Sequence, residues 1–164
     1  MKFRIEQHIP APLAAVEGAL LDRDFVAATA DLPKLGAPEL LELQQDGDRA
    51  HQRIRYRFTA QLSGAVTRVV DPDKLTWVDD ARYDLTSHTS RHRILPDNYA
   101  DRLKASYDVA LEATGDSTRR LVTGELTVHI PLVGGRVERA IVDGLEEHAN
   151  AEAELLGRWI AERS

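Results

Sequence analysis

Alternating apolar and polar positions recur along this chain and predict a series of β-strands, each with one buried face. In the opening strand Phe3 and Ile5 alternate with charged residues, and Pro10 ends the pattern. Six further strands are expected at residues 39–45, 51–59, 75–83, 86–95, 102–113 and 119–130. Strands with a single apolar face are typical of an antiparallel sheet that covers one core.

Helical spacing of apolar residues predicts two short helices after the first strand and one long helix at the end of the chain. Pro12 suits the first turn of the first short helix, and the second spans about residues 24–30. The long helix follows Gly134 and Gly135 and continues almost to Ser164, a length of roughly 40 Å. Its apolar stripe consists of Val137, Ile141, Leu145, Leu155 and Trp159.

Residues 61–70 fit two local structures. Val66, Val69 and Val70 are spaced for a short helix, with Ser63 in position to cap it. Their β-branched side chains favour a strand as well. The sequence leaves both structures open for this segment.

The composition is that of one globular domain spanning residues 1–164. Hydrophobic residues make up 43% of the chain and charged residues 29%, and the net charge of −6 argues against a nucleic-acid surface. The absence of cysteine removes disulfides and thiolate chemistry. We see no secretion signal and no apolar run of roughly 20 residues, so a cytoplasmic protein without a transmembrane segment is expected.

A long terminal helix after an antiparallel sheet predicts an α+β fold in which about seven curved strands grip the helix. The two short helices after the first strand are expected to close one end of this sheet. The apolar stripe of the helix and the apolar strand faces are expected to cover each other. Such an arrangement often leaves a cavity between sheet and helix, which is where a ligand is expected.

Three stretches of the chain carry a resemblance to a known superfamily. They are Phe3-Arg4-Ile5-Glu6 through Pro10-Ala11-Pro12 to Val16, residues 71–77, and Gly124-Glu125-Leu126 through Pro131-Leu132-Val133-Gly134-Gly135 to Trp159. In this order they resemble the START-like, or SRPBCC, superfamily, which is also called helix-grip or Bet v 1-like. The resemblance is closest to an actinobacterial branch described as a domain of unknown function. The resemblance implies binding of lipids, polyketides or other apolar molecules. A minority of the superfamily's members are cyclases.

Aromatic side chains on the inward strand faces, together with residues on the helix stripe, form the predicted ligand site. Aromatic walls with a few polar tips suit a planar apolar ligand, and they suit an ordinary core equally well. The predicted ligand-binding residues are Tyr56, Phe58, Trp77, His92, Tyr107, Ile141, Leu145 and His148.

Histidines are the candidates for acid–base chemistry. His88, Ser90 and His92 share the parity of Ile94 and are expected to face inward, whereas His148 lies on the helix stripe. Two histidines four residues apart on a strand are roughly 13 Å apart, too far to bind one metal ion. His92 or His148 would serve as a polar anchor or proton donor in an apolar pocket. The alternative is a core histidine bonded to a nearby carboxylate or backbone group.

Two patterns of charged residues are not expected to form a functional site. Arg53, Arg55 and Arg57 alternate along one strand face and are expected to face solvent. Asp79 and Asp80 are adjacent, so their side chains point to opposite faces and form no acid–base pair by proximity alone.

The leading functional hypothesis is non-catalytic binding of a hydrophobic small molecule, such as a lipid or a polyketide-like compound, in the predicted cavity. No cofactor and no metal is expected. A cyclase or dehydratase that uses His92 or His148 is the first alternative. A protein-interaction module, for example a homodimer, is the second.

Overall fold

The alternating segments pair as antiparallel strands of one sheet, in a computed structural model that describes residues 1–164. The strands are β1 (Lys2–Ile9), β2 (Glu39–Asp46), β3 (Arg49–Arg57), β4 (Thr76–Asp84), β5 (Thr89–Pro96), β6 (Leu103–Thr114) and β7 (Ser117–Val128). The α-helices are α1 (Leu13–Leu20), α2 (Arg23–Ala28), α3 (Gly64–Thr67) and α4 (Gly134–Glu162). Single 3₁₀ turns lie at Thr29–Asp31 and Pro72–Lys74. The predicted α+β helix-grip architecture is confirmed.

The strand order is β1-β7-β6-β5-β4-β3-β2, so the first strand lies beside the last and every other pair of neighbours is consecutive in the chain. The connection between β3 and β4 is long and contains α3. The helices α1 and α2 stand in the chain between β1 and β2, which are the two edges of the sheet. The 29-residue helix α4 lies across the sheet and contacts β1 and β7. No helix combines the length and the apolar character needed to cross a membrane.

Two of the three core clusters lie along α4, and the third consists of Ala50, Ala81 and Tyr83 on the sheet. Near the N-terminal half of α4, Val137 and Ile141 pack with Phe58, Leu126 and other residues of the sheet and of the α3 segment. The second cluster, near its C-terminal half, consists of Ile9, Ala11, Val16, Ala19, Phe25, Leu111, Ala153 and Leu156. The middle of α4 belongs to neither cluster, and this leaves space between helix and sheet.

Glycine allows α4 to approach the sheet closely at one end of that space. A Cβ atom on Gly144 would lie 2.7 Å from Cε2 of Phe58, which is closer than carbon atoms can pack. Phe58 itself is only 3% exposed and cannot move away freely. The absence of a side chain at Gly144 therefore allows α4 to pack closely against Phe58 just beyond the end of β3.

The structure settles or corrects several local expectations. The segment of residues 61–70 contains the helix α3, and Ser63 precedes it without a side-chain capping bond. The strand expected at residues 86–95 begins only at Thr89, because the Asp84 side chain accepts hydrogen bonds from Thr86 and holds a turn. Phe58 lies just beyond β3 and makes an isolated bridge to Leu35.

The buried stripe of α4 also differs from the expectation near its C-terminus. Leu156 is completely buried, whereas Leu155 of the predicted stripe is half-buried. Consecutive helical residues are about 100° apart around the axis, so the buried face has turned by this amount. The reason is that the neighbours of α4 change, since Leu156 belongs to a cluster with residues of β1, β6, α1 and α2.

Candidate functional site

A cavity of about 190 Å³ lies between the inner face of the sheet and the middle of α4. Because one water needs only about 10–15 Å³ of such volume, the space is far larger than an isolated water site. Of the 39 residues that line it, 24 are hydrophobic, so the walls are mainly apolar. The cavity predicted from the helix-grip arrangement is therefore present.

All eight residues predicted to bind ligand line this cavity. They are Tyr56, Phe58, Trp77, His92, Tyr107, Ile141, Leu145 and His148. The strand parity and the helix stripe thus bring them to one space, although they come from four strands or strand ends and one helix. Their role in binding stays a prediction.

Aromatic rings form one end of the cavity. Tyr56 and Trp77 are cross-strand neighbours, with ring centroids 6.4 Å apart. The imidazole of His148 meets the ring of Tyr56 edge to face at 6.3 Å. The Nδ1 atom of His148 lies 3.2 Å from the carbonyl oxygen of Pro33. Since a carbonyl only accepts, Nδ1 of His148 carries a proton and donates it to this oxygen.

A cluster of four hydrogen-bonded polar side chains lies on the sheet wall. The Nδ1 atom of His92 is 2.9 Å from Oδ1 of Asp79, and its Nε2 atom is 2.8 Å from Oγ of Ser90. The Tyr107 hydroxyl donates to Oδ2 of Asp79. The Tyr107 ring also stacks on the imidazole at 4.2 Å between centroids. We call Asp79, Ser90, His92 and Tyr107 the polar cluster.

The register of three strands produces this cluster. His92 on β5 pairs directly with Tyr107 on β6 and with Ala81 on β4. Asp79 is two residues before Ala81 and therefore faces the same side of the sheet, diagonally from His92. Because Ala81 has a short side chain, the Asp79 carboxylate and the imidazole meet without a larger group between them.

The chemistry of the carboxylate determines the proton positions in the cluster. A carboxylate only accepts hydrogen bonds, so with Asp79 ionised the Nδ1 atom of His92 carries the proton. In the neutral imidazole Nε2 is then the acceptor, and the Ser90 hydroxyl donates to it. Asp79 and His92 are each 8% exposed, so this arrangement is held away from bulk water.

Burial and the nearby negative charge keep the tyrosines of the cavity protonated. The pKa of Tyr107 is raised well above 10.0, first by burial and then by the charge of Asp79. Burial likewise raises the pKa of Tyr56 and of Tyr83, with smaller contributions from the charges of Asp79 and Glu152. All three hydroxyls remain hydrogen-bond donors across the neutral range.

A second polar group joins the sheet to α4 at another part of the cavity wall. The Nη1 atom of Arg120 lies 2.6 Å from Oε1 of Glu152, and its Nη2 atom donates to the carbonyl oxygen of Ala149. Its Nε atom donates to Oε1 of Gln7. The side chain of Arg120 is 6% exposed, so its charge is balanced inside the protein by Glu152.

Two further contacts lie on the cavity wall near α1. The Tyr83 hydroxyl donates to Oε1 of Gln52, and Nε2 of Gln52 donates to the carbonyl oxygen of Leu20. His88, expected on a strand, lies in the turn before β5 with a φ of 58°. Its Nδ1 atom is 3.2 Å from the carboxylate of Glu17 on α1.

Two charged residues of this site, Asp79 and Arg120, were not predicted from the sequence. Asp79 has the parity of Trp77 and Arg120 has the parity of Val122, and both side chains face the interior. A charged residue at an inward position of a strand is the signal that identifies both. The row of arginines at positions 53, 55 and 57 instead lies on the outer face and pairs with Asp80, Asp97 and Asp73.

Residues 4–160 match the model of the family described as "Protein of unknown function (DUF2505)". The chain belongs to this DUF2505 family. The match extends over nearly the whole sheet and α4, which are the elements that enclose the cavity. No curated protein shows significant sequence similarity to this DUF2505 member.

Solved structures with the same fold are numerous. TTHA0849 from Thermus thermophilus has a TM-score of 0.71 at 18% identity, covering 100% of this chain and 99% of that one. The Zhui aromatase/cyclase from Streptomyces sp. R1128 has a TM-score of 0.69 at 16% identity, with coverage of 96% and 94%. A START superfamily protein from Mycobacterium smegmatis has a TM-score of 0.58 at 15% identity, covering 99% of both chains. The START-like fold predicted from the sequence is confirmed.

Proposed function

We propose that this DUF2505 protein binds a hydrophobic small molecule, either a lipid or a polyketide-like compound, in the cavity between the sheet and α4. The observation that carries this proposal is the preformed void of about 190 Å³ with mainly apolar walls. Binding sites for small molecules have this character, with a few polar groups that orient the ligand. Each 100 Å² of apolar ligand surface removed from water contributes about 2.5 kcal/mol.

The size and shape of the cavity limit the ligand. Its volume of about 190 Å³ is below the roughly 300–1,000 Å³ that is common for small-molecule pockets. A compact molecule with one or two rings or a short chain fits this space better than a complete phospholipid. Its polar end would face the polar cluster, while the rings of Tyr56 and Trp77 contact its apolar part.

The fold comparisons support the same class of ligand. The Zhui protein is an aromatase/cyclase, and the enzyme shares the sheet and long helix that enclose the cavity here. Because the identity is only 16%, the fold is shared but no residue role is transferred.

A cavity-filling substitution tests the proposal. Ala105 lies on the inner face between Ile94 and Leu126 and lines the cavity, so Ala105→Leu should displace a ligand. Ala110 is on the outer face of the same strand, and Ala110→Leu is the matched control. With 1-aminoanthracene, a compact uncharged aromatic fluorophore, as the probe, we expect saturable binding to the parent and to the control, and at least tenfold weaker binding to Ala105→Leu.

Thermal melts of the three proteins establish that the variants are folded. Equal binding by Ala105→Leu and the parent would place the probe outside the cavity and contradict the proposal. Absence of saturable binding by the parent to 1-aminoanthracene and to cis-parinaric acid would contradict it as well.

A second candidate function is acid–base catalysis of the cyclase or dehydratase type. The observation that favours it is the contact between His92 and Asp79 inside the cavity. A histidine oriented by a carboxylate removes or delivers protons effectively near neutral pH. We expect loss of water from a β-hydroxy ketone probe, detected as a new conjugated chromophore, to disappear in His92→Gln. Unchanged turnover in that variant would exclude His92 as the acid–base group.

A further inference from the structure

We propose that Ser90, His92 and Asp79 form a nucleophilic triad that hydrolyses an ester or thioester of an apolar acid held in the cavity. This inference rests on the proposed function, since the acyl chain would occupy the same space. It goes beyond that function by assigning a covalent reaction and a nucleophile, Ser90.

The connectivity of the three side chains is that required for serine activation. The Ser90 hydroxyl is 2.8 Å from Nε2 of His92, and Nδ1 of the same ring is 2.9 Å from Asp79. A serine nucleophile needs a base on its hydroxyl and a third group that orients the base. Triads of this kind are recognised by geometry, and they occur on unrelated folds with different sequence orders.

The polar cluster has further properties that a purely structural network does not need. Asp79 has no arginine or lysine partner, and the ion pairs of the protein give it only His92. Tyr107 donates to the second carboxylate oxygen and fixes the plane of the carboxylate. Apolar side chains of similar size would fill these inward positions at lower energetic cost. All four residues of the cluster line the cavity, so a ligand reaches the Ser90 side chain from there.

The reaction balances with water as the only co-reactant. The Ser90 oxygen attacks the ester carbonyl carbon while its proton moves to Nε2 of His92. The bond from the carbonyl carbon to the leaving oxygen or sulfur then breaks, and the Nε2 proton passes to that leaving group. A water molecule gives a proton to His92 and attacks the acyl carbon, the bond to Ser90 breaks, and Ser90 regains its proton. The products are a free acid and an alcohol or thiol.

Tyr83 is the candidate donor for the oxyanion that forms in both steps. It pairs directly with Ser90 across β4 and β5, and it lines the cavity. Its hydroxyl now donates to Gln52 across 3.3 Å, a long bond that a developing negative charge would replace. Asp79 acts through His92 and is a positioning residue.

A covalent probe tests the nucleophile directly. A fluorophosphonate with a short alkyl tail should add one phosphonyl group per protein chain, and peptide mapping should locate it on Ser90. Ser90→Ala should abolish the addition. The matched control is Ser106→Ala, because Ser106 is an exposed serine on the outer face of β6. We expect full labelling of that variant.

Hydrolysis of p-nitrophenyl butyrate supplies the kinetic test. Ser90→Ala should reduce kcat by roughly 10³-fold or more, and Asp79→Asn by a similar factor through loss of the required tautomer. The pH dependence of the rate gives a second readout. Asp79→Asn should change this pH profile relative to the parent, which a merely structural role of Asp79 would not cause.

The labelling and hydrolysis results together decide whether Ser90 is a nucleophile. Labelling of the parent that is equal in Ser90→Ala, or no labelling and no hydrolysis by the parent, would overturn the triad. A parallel titration with cis-parinaric acid and with 1-aminoanthracene separates this failure from that of the binding function. If either probe binds but Ser90 does not react, the binding proposal stands and the triad falls. If neither probe binds, the proposed binding function fails by itself.

Discussion

Tyr56 and His148 meet edge to face across the space between the sheet and α4, with their ring centroids 6.3 Å apart. One ring belongs to the sheet wall and the other to the helix wall, so the pair forms a boundary of the cavity. The same imidazole bonds to the carbonyl oxygen of Pro33 in the loop that follows the short helices. His148 thereby links three parts of the protein at the cavity.

We predict that His148→Ala lowers the free energy of unfolding by about 1–3 kcal/mol, because the carbonyl of Pro33 loses its partner and a buried contact is removed. Urea denaturation measures this change. His129→Ala is the control, since His129 is exposed and its loss should cost less than about 0.5 kcal/mol. Equal effects of the two substitutions would show that His148 has no structural role.

Breaking the buried ion pair between Arg120 and Glu152 should lower the free energy of unfolding strongly. Replacing both residues by apolar ones should change it much less. We expect Arg120→Met to destabilise the protein by about 3–5 kcal/mol, because Glu152 loses its counter-charge. The double substitution Arg120→Met with Glu152→Leu should recover most of that loss, since apolar replacement of a buried pair is often neutral. Denaturant unfolding of the parent, both single variants and the double variant gives the coupling energy.

A solvent-exposed ion pair is the control for these substitutions at Arg120 and Glu152. Arg91 and Asp108 lie 3.1 Å apart, but their side chains are 78% and 58% exposed. Breaking that pair with Arg91→Met should cost less than about 1 kcal/mol. A cost for Arg120→Met that is no larger than this value would contradict the burial argument.

The raised pKa values of the cavity tyrosines predict a loss of stability in alkali. Tyr56, Tyr83 and Tyr107 keep their protons in the folded protein, whereas in the unfolded chain they ionise near pH 10.0. Their contribution is therefore complete below pH 10 and decreases as the pH rises towards the folded pKa. Each residue contributes a slope of up to about 1.4 kcal/mol per pH unit.

Stability measured against pH, with tyrosinate absorbance as a second signal, tests this expectation. Tyr107→Phe should cost about 1.5–3 kcal/mol at neutral pH, since it removes a hydrogen bond to a charged group. Above pH 10 its stability should fall less steeply than that of the parent. Ionisation of all four tyrosines near pH 10 in the folded protein would contradict the assignment of three buried hydroxyls.

Substitutions at two glycines of α4 test how closely the helix packs against the sheet. Gly144→Ala should destabilise the protein by about 1–3 kcal/mol, because the new Cβ atom would lie 2.7 Å from the Phe58 ring. Gly135→Ala meets no atom within 4 Å and should stabilise the helix by up to about 1 kcal/mol. Thermal melts of both variants should therefore move in opposite directions. A gain of stability in both would mean that helix and sheet separate readily.

Much of the fold could be predicted because each strand has one apolar face and α4 has one apolar stripe. The alternation around Tyr56 and the parity of Tyr107 depend only on local backbone geometry, and both residues lie at the interior as predicted. Helical spacing from Ile141 places His148 in the same way. These predictions needed only the side-chain repeat of a strand, two residues, and that of a helix, about 3.6 residues.

Contacts between distant residues required the tertiary structure. The Asp79 carboxylate meets His92 because β4 and β5 pair in a register that sets them diagonally, and single-strand parity does not give that register. Arg120 meets Glu152 only because α4 crosses β7 at that point. The course of residues 61–70 also depended on packing, since both local structures suited the sequence.

The chain by itself determined the order of strands and helices and which side of each element is apolar, because these follow from short-range periodicity and solvent exclusion. The tertiary structure alone decided that one core cluster packs near each end of α4 and that about 190 Å³ stays open between the helix and the sheet. The physical reason is that a void depends on the distances between packed elements. Those distances are set by contacts such as Gly144 with Phe58, which join residues far apart in sequence.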